Sequence, residues 1–220
     1  MLRRLTPAAD PALRQISLEG FEDSLLWRPE TLPDGKRADS YSLFLALMPS
    51  AGDQLRLFAN SEQIQRYFKI SMKYAQQAER LHTTLLDLNQ GVAFPNPPSR
   101  VLVEAVVEAL KGAHLPPAPV RFDRIRSFNG QALTLRCDRA GREAALDLRR
   151  VVSSRLKSRR LPALSTGELH MTLHYSPPAV IGEVLIEPID WNPDHLALIL
   201  SHVGAHHHEH IARWPLQHAR

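Results

Sequence analysis

The sequence predicts an α+β protein built as two lobes of antiparallel sheet with helices on the outside, and three observations carry that expectation. A four-residue string occurs twice, His82-Thr83-Thr84-Leu85 and His170-Met171-Thr172-Leu173, 170 − 82 = 88 residues apart, each in a short run of strand character. Capped helical patterns fall between strand-like runs without the strict alternation of a parallel α/β fold. The chain then closes in a meander of three strand-like runs, EVLIEPIDW, HLALILSHV and HHHEHIARW. The two copies of the string read as a coarse duplication, not a repeat at solenoid period.

The elements follow in order. Residues 1–40 carry Pro7, Pro11, Pro29, Pro33 and the turn-like Pro33-Asp34-Gly35, so they are expected to form an N-terminal extension, with the folded domain over 41–220. SYSLFLALMPS is a continuous apolar run stopped by Pro49 and suits a central strand over 41–48. A helix over 51–69 should bury Leu55, Phe58, Ile64 and Phe68 on one face. The first motif strand is expected over 80–88. Ser99 is placed to cap a helix through RVLVEAVVEALK, closed by Gly112. A hairpin follows, with PVRFDRIRSF and QALTLRCD joined at Asn129-Gly130. Asp138 through Lys157 reads as a helix stopped before Pro162, and the second motif strand is expected over 168–175.

Composition sets the boundaries of function. At 220 residues, with 44% hydrophobic and 23% charged residues, the chain can bury a sizeable core and is ordinary for a soluble globular protein. No apolar stretch is long enough to span a bilayer, and MLRRLTPAADPALR lacks the apolar run of a secretory signal. The single cysteine, Cys137, rules out an internal disulfide and fits a reducing compartment. A cytoplasmic monomer without a membrane association is expected. Net charge is +4 and pI about 9.5, compatible with a polyanionic ligand.

The paired strings point to phosphate chemistry. Side chains alternate faces along a strand, so His82 and Thr84 share one face, opposite Leu81, Thr83 and Leu85. His170 and Thr172 likewise oppose Leu169, Met171 and Leu173. Two such strands facing each other would surround one small anion with two imidazoles and two hydroxyl donors. By the same alternation His174 joins His170 and Thr172, and is a candidate for the pocket wall. Phe44, in the opening strand, is a candidate base-stacking residue.

With YSLFLALMP opening the core, LHTTL, LHMTL and the C-terminal IARWPL, the chain resembles the two-histidine (2H) phosphoesterase superfamily. It is most similar there to the bacterial RNA 2′,3′-cyclic phosphodiesterases, also called 2′-5′ RNA ligases. The resemblance spans about residues 41–216. It implies a bilobal fold with both motifs in a central cleft, and hydrolysis of a 2′,3′-cyclic phosphate on an RNA terminus or nucleotide to a 2′-phosphate, with no metal or cofactor. It implies His82 and His170 as the catalytic pair and Thr84 and Thr172 as phosphate-binding residues. The chain departs from the family where Leu86-Asp87-Leu88 follows the first motif and Tyr175 the second, at positions that shape the pocket. Alternatives are hydrolysis or reversible ligation of 2′-5′ linkages, or an RNA-end binding module without turnover.

Two further clusters have simpler readings. His206, His207, His208 and His210 with Glu209 could suggest a metal site, but strand alternation divides them between two faces, and an exposed edge strand is expected. In RRVVSSRLKSRR, Arg149, Arg150, Arg155, Lys157, Arg159 and Arg160 are expected to be a solvated helix end complementing the macrodipole.

Overall fold

The computed structural model describes residues 32, 38–89, 92–128, 132–165, 167–175 and 181–217. Nearly all of the expected N-terminal extension, including Pro33-Asp34-Gly35, and the Asn129-Gly130 turn lie outside the described residues. The elements are β1 (Ser40–Met48), α1 (Ala51–Tyr67), β2 (Thr83–Asp87), α2 (Arg100–Leu110), β3 (Val120–Phe128) and β4 (Ala132–Cys137). They continue as α3 (Arg139–Ser158), β5 (Leu164–Ser165), β6 (His170–Tyr175), β7 (Val184–Trp191), β8 (His195–Val203) and β9 (His207–Pro215).

The strands make one antiparallel sheet in the order β7-β3-β4-β6-β2-β1-β8-β9, with β5 paired to β2. It is two four-stranded lobes joined at their motif strands. At that joint β2 and β6 share a single register pair, Thr83 with Met171. The α+β duplication expected from the sequence is present, with one correction. The lobes are not the two halves of the chain, because β8 and β9 return to complete the first lobe and the β3–β4 hairpin belongs to the second. The reason is burial: HLALILSHV is almost wholly buried, so β8 needs a neighbour on each side, and β1 and β9 supply them.

The helices cover one face of the sheet. Leu43, Leu45 and Leu47 of β1 meet Val103, Val106 and Leu110 of α2 and Ala145, Leu148, Val152 and Leu156 of α3 in the main core. Each leucine so buried contributes roughly 1.5–3 kcal/mol. The other side of β1 is apolar too: Phe44, Ala46 and Met48 cluster with Ala197 and Ile199. That is why β1 reads as a continuous apolar run, not an alternating one. Ser99 caps α2 by accepting the Leu102 N–H at 3.3 Å, and Asp138 caps α3 by accepting the Gly141 N–H at 2.7 Å. Gly112, with φ of 64°, takes the left-handed conformation just past α2.

Helix α1 corrects a second expectation. Phe58, Ile64 and Phe68 pack against the core as expected, but Leu55 is 70% exposed, and the fully buried residues are Leu57, Ser61 and Gln65, with the Gln65 amide donating to Ser61 Oγ at 2.8 Å. A polar side chain bonded to a neighbour on its own helix can be buried, which hydrophobic spacing alone does not reveal.

Candidate active site

Both motifs face a common cleft on the side of the sheet away from the helices. A cavity of about 310 Å³ is lined by Ser42, Phe44, His82, Thr84, Asp87, His170, Tyr175, Ser201 and His208. His82 immediately precedes β2 and His170 opens β6. Each ring is held in the same way. His82 Nδ1–H donates to the carbonyl of Arg80 at 2.7 Å, and His170 Nδ1–H donates to the carbonyl of Glu168 at 3.0 Å. A carbonyl only accepts, so Nδ1 carries the proton and Nε2 of each neutral ring presents its lone pair. A phenylalanine also stacks on each imidazole at a centroid distance of 5.2 Å, Phe44 on His82 and Phe128 on His170.

The downstream residues of the two motifs are set by a matching pair of β-bulges. Opposite β1, Leu45 pairs with Leu86 and Ala46 with Thr84, so Leu85 is the extra residue. Opposite β4, Leu133 pairs with His174 and Thr134 with Thr172, so Leu173 is the extra residue. Each bulge reverses the alternation that follows it. Leu86 and His174 therefore turn inward, while Asp87 and Tyr175 reach the cavity wall.

This corrects the placement of His174. It is 1% exposed, away from the cavity, and its Nε2–H donates to the Ser71 carbonyl at 2.8 Å. Thr84 lines the cavity, whereas Thr172, on the same face as His170, is hydrogen-bonded to the Tyr175 side chain and stands outside the lining. Phe44 lines the cavity and is 7% exposed. Asn89 secures the first lobe's rim. Its N–H donates to Asp87 Oδ1 at 2.7 Å, its side-chain amide to Ser42 Oγ at 2.5 Å, and its Oδ1 accepts the Leu43 N–H at 2.7 Å.

The histidine-rich segment needs a second correction. Strand β9 is an edge strand, as expected, but His208 is not solvated. It pairs with Ser201 across the β8–β9 ladder, lines the cavity, and its ring lies 5.3 Å from that of His82, edge to face. On the opposite face Glu209 is buried against His202, Nε2 to Oε2 at 3.3 Å. Among the described residues, no group of three or more histidine, cysteine or acidic side chains is arranged to hold a metal.

Electrostatically the cleft disfavours protonated imidazole. Burial pushes His82 down to about 4, with the neighbouring His170, Arg80 and His210 adding to the effect. Burial and then the Arg136 guanidinium bring His170 to about 4 as well. Burial and the same cluster of cations and imidazoles push His208 to about 2. At neutral pH the cleft of the free protein thus holds neutral rings.

The fold has counterparts among solved structures. E. coli LigT in its apo form superposes with a TM-score of 0.60 at 15% identity, covering 82% of this chain and 100% of LigT. TT0787 of Thermus thermophilus gives 0.53 at 17% identity, covering 80% and 97%. A protein described as a phosphoesterase gives 0.54 at 16% identity, covering 80% and 99%. The chain has the LigT fold. No family model and no curated protein matches the sequence. The LigT fold is the one that the two-histidine resemblance implies, down to the pseudo-duplicated lobes. No helix among the described residues is long and apolar enough to cross a membrane.

Proposed function

We propose that the protein is a phosphoesterase that hydrolyses a 2′,3′-cyclic phosphate, on an RNA end or a nucleotide, to a 2′-phosphate. The observation that carries this is the equivalence of His82 and His170: two rings in one cleft, each with Nδ1–H tied to the carbonyl two residues earlier and Nε2 left for chemistry. In-line hydrolysis of a cyclic diester needs a base for the attacking water and an acid for the departing sugar oxygen. One imidazole takes the water proton as the P–O bond forms, the other gives its proton to the 3′-oxygen as that P–O bond breaks, and the pair exchanges protonation states in each turnover. Both rings are neutral in the free protein, so the anionic phosphate itself favours protonation of the acid as it binds. Thr84, with Ser42 and Ser201 on the same wall, supplies hydroxyl donors to the non-bridging oxygens. Thr172 acts through its bond to Tyr175.

E. coli LigT has been crystallised with phosphate, with ATP and with 3′-AMP, which supports a nucleotide or RNA-end ligand for the same fold here. Two imidazoles supply both proton transfers, so no metal-activated water is required and turnover should survive excess chelator. The test is to incubate the purified protein with 2′,3′-cyclic mononucleotides, oligonucleotides ending in a 2′,3′-cyclic phosphate, and 2′-5′-linked oligonucleotides. Phosphorus NMR then assigns the products. A 2′-phosphate from the cyclic substrates supports the reading. Cleavage confined to 2′-5′ linkages, or binding without turnover, would replace it.

A further inference from the structure

The ladder of the second lobe lays a graded surface beside the reacting groups. Residues paired across a sheet share a face, so three rows can be followed outward from β6. His170 leads to Arg136 and Arg124, then to Leu185 of β7; Thr172 leads to Thr134 and Arg126; Tyr175 leads to Ala132 and Phe128. All three rows lie on the cleft side, because His170 does. The second lobe thus carries three guanidiniums and an aromatic ring immediately beyond the motif. The first lobe's part of the cavity wall is Ser42, Thr84, Ser201, His208 and the carboxylate of Asp87, and its cleft face carries one arginine, Arg213 of β9, three strands out along the row Thr84–Ala46–Ala197.

Two of the three arginines are committed. Arg136 is buried and paired with Glu168, and Arg124 bonds Asp123 at 2.8 Å and Glu183 at 3.3 Å. Arg126 is exposed and makes no ion pair among the described residues. The two phenylalanines that stack on the histidines differ in the same sense. Phe44 is 7% exposed, whereas Phe128 is 42% exposed and lies two residues along β3 from the exposed Arg126, on the same face. A cation next to an accessible aromatic ring is the pairing that single-stranded nucleic acid uses, backbone on the charge and base on the ring.

We infer that the second lobe is the landing surface for the RNA chain leading to the cyclic end, with Arg126 gripping the phosphate next to the reacting one and Phe128 supporting a base. The inference rests on the phosphoesterase reading above and adds to it a direction across the cleft. Asp87 stands at the cavity wall of the first lobe, whose Arg213 lies three strands out from Thr84, whereas Arg126 lies only two strands out from Thr172 and beside an exposed ring, so the polyanion is drawn over the second lobe. The reacting phosphate sits between His82 and His170, so the chain leaves over β4 and β3, not over β1 and β8. A cyclic mononucleotide has no second phosphate and gains nothing from Arg126.

The test compares kcat/KM for cytidine 2′,3′-cyclic phosphate with that for a short oligoribonucleotide ending in a 2′,3′-cyclic phosphate, in the wild-type protein and in Arg126→Ala and Arg126→Glu. The expected result is a wild-type preference for the oligonucleotide that falls by about tenfold or more in Arg126→Ala, the size of one charge-assisted phosphate contact, and further in Arg126→Glu. The slope of log kcat/KM against log salt for the oligonucleotide should shrink by about 0.7 with the loss of one contact to a single strand. If the wild type turns over both substrates and the substitutions leave their ratio unchanged, the inference fails and the phosphoesterase reading stands. If the wild type turns over neither, that reading fails and takes the inference with it.

Discussion

Arg149 bonds the carbonyl of Leu85, the bulge residue that closes the first histidine motif, with Nε–H donating at 3.0 Å from the buried face of α3. Its Nη1 donates in addition to the carbonyl of Gly167 at 3.3 Å. Leu85 lies three residues after His82 and Gly167 three residues before His170. One side chain therefore bridges the flanks of both motifs, at a joint where β2 and β6 share only the Thr83–Met171 pair. It is thereby placed to set the spacing of the two imidazoles.

Arg149→Met removes both donors and leaves two carbonyls without this partner, at about 1–3 kcal/mol for each one left unsatisfied. Arg149→Lys keeps the charge but not the fork. Both variants are expected to lower the melting temperature. If they loosen the spacing of the histidines, kcat falls by roughly 10²-fold, the order expected for an ångström of misplacement, while KM changes much less. Steady-state kinetics on folded Arg149→Lys checks this; a variant destabilised but with wild-type kcat would reduce Arg149 to a structural role.

The bulges make opposite predictions for adjacent residues. His174→Ala removes a buried donor from Ser71 and should cost about 1–3 kcal/mol of stability, with kcat/KM of the folded fraction near that of the wild type. Tyr175→Phe deletes a hydroxyl bonded to Thr172 at the cavity wall. It should leave stability nearly unchanged and lower kcat/KM. Denaturant titration and kinetics on the two variants check the pair, and a reversed pattern would mean that strand alternation continues through the second motif.

Much of the site could be read directly from the sequence, because the side-chain alternation within a motif is local. His82 with Thr84 and His170 with Thr172 share faces for that reason. What was hidden depends on partners. A bulge is a mismatch between two strands, so neither Leu85 nor Leu173 signals it alone, and the reversed faces of Asp87, His174 and Tyr175 follow from it. The face on which His208 lies is set by its register with Ser201. The return of β8 and β9 to the first lobe is likewise a long-range choice. Arg149 is different: it was expected with the solvated basic residues of the helix end and is instead buried, although its spacing carried the signal. It falls at helical spacing with Ala145, Val152 and Leu156, on the apolar stripe of α3 and not among the solvated basic residues around it.

The depressed imidazoles make both activity and stability depend on pH. In the free protein His82 and His170 each gain a proton only near pH 4, so the form with one ring protonated and one neutral becomes scarcer as pH rises above that. The kcat/KM profile, which reports the free protein, is expected to be highest on the acid side of the ordinary imidazole value of about 6.5 and to fall toward pH 8. The limbs belong to the pair, not to either ring. The kcat profile should lie at higher pH, because bound phosphate favours the protonated ring. The folded protein also binds fewer protons at His82, His170 and His208 than the unfolded chain between about pH 4 and 6.5. Stability conferred by these rings is therefore present above about pH 6.5 and is lost as pH falls, by up to about 1.4 kcal/mol per pH unit for each ring. Urea unfolding at pH 7.5 and pH 5 measures it, and equal stability at both would contradict the buried, neutral state of the rings.

The central claim is that His82 and His170 transfer the two protons, and turnover of a 2′,3′-cyclic phosphate by His82→Ala, His170→Ala and the double variant tests it most directly. Each single variant is expected to lose roughly 10²–10⁴-fold in kcat while still binding the substrate. The double variant should lose far less than the product of the two, because groups acting as a unit are not additive. If either single variant keeps near-wild-type turnover across pH 5 to 8, the two-histidine mechanism is wrong for this protein.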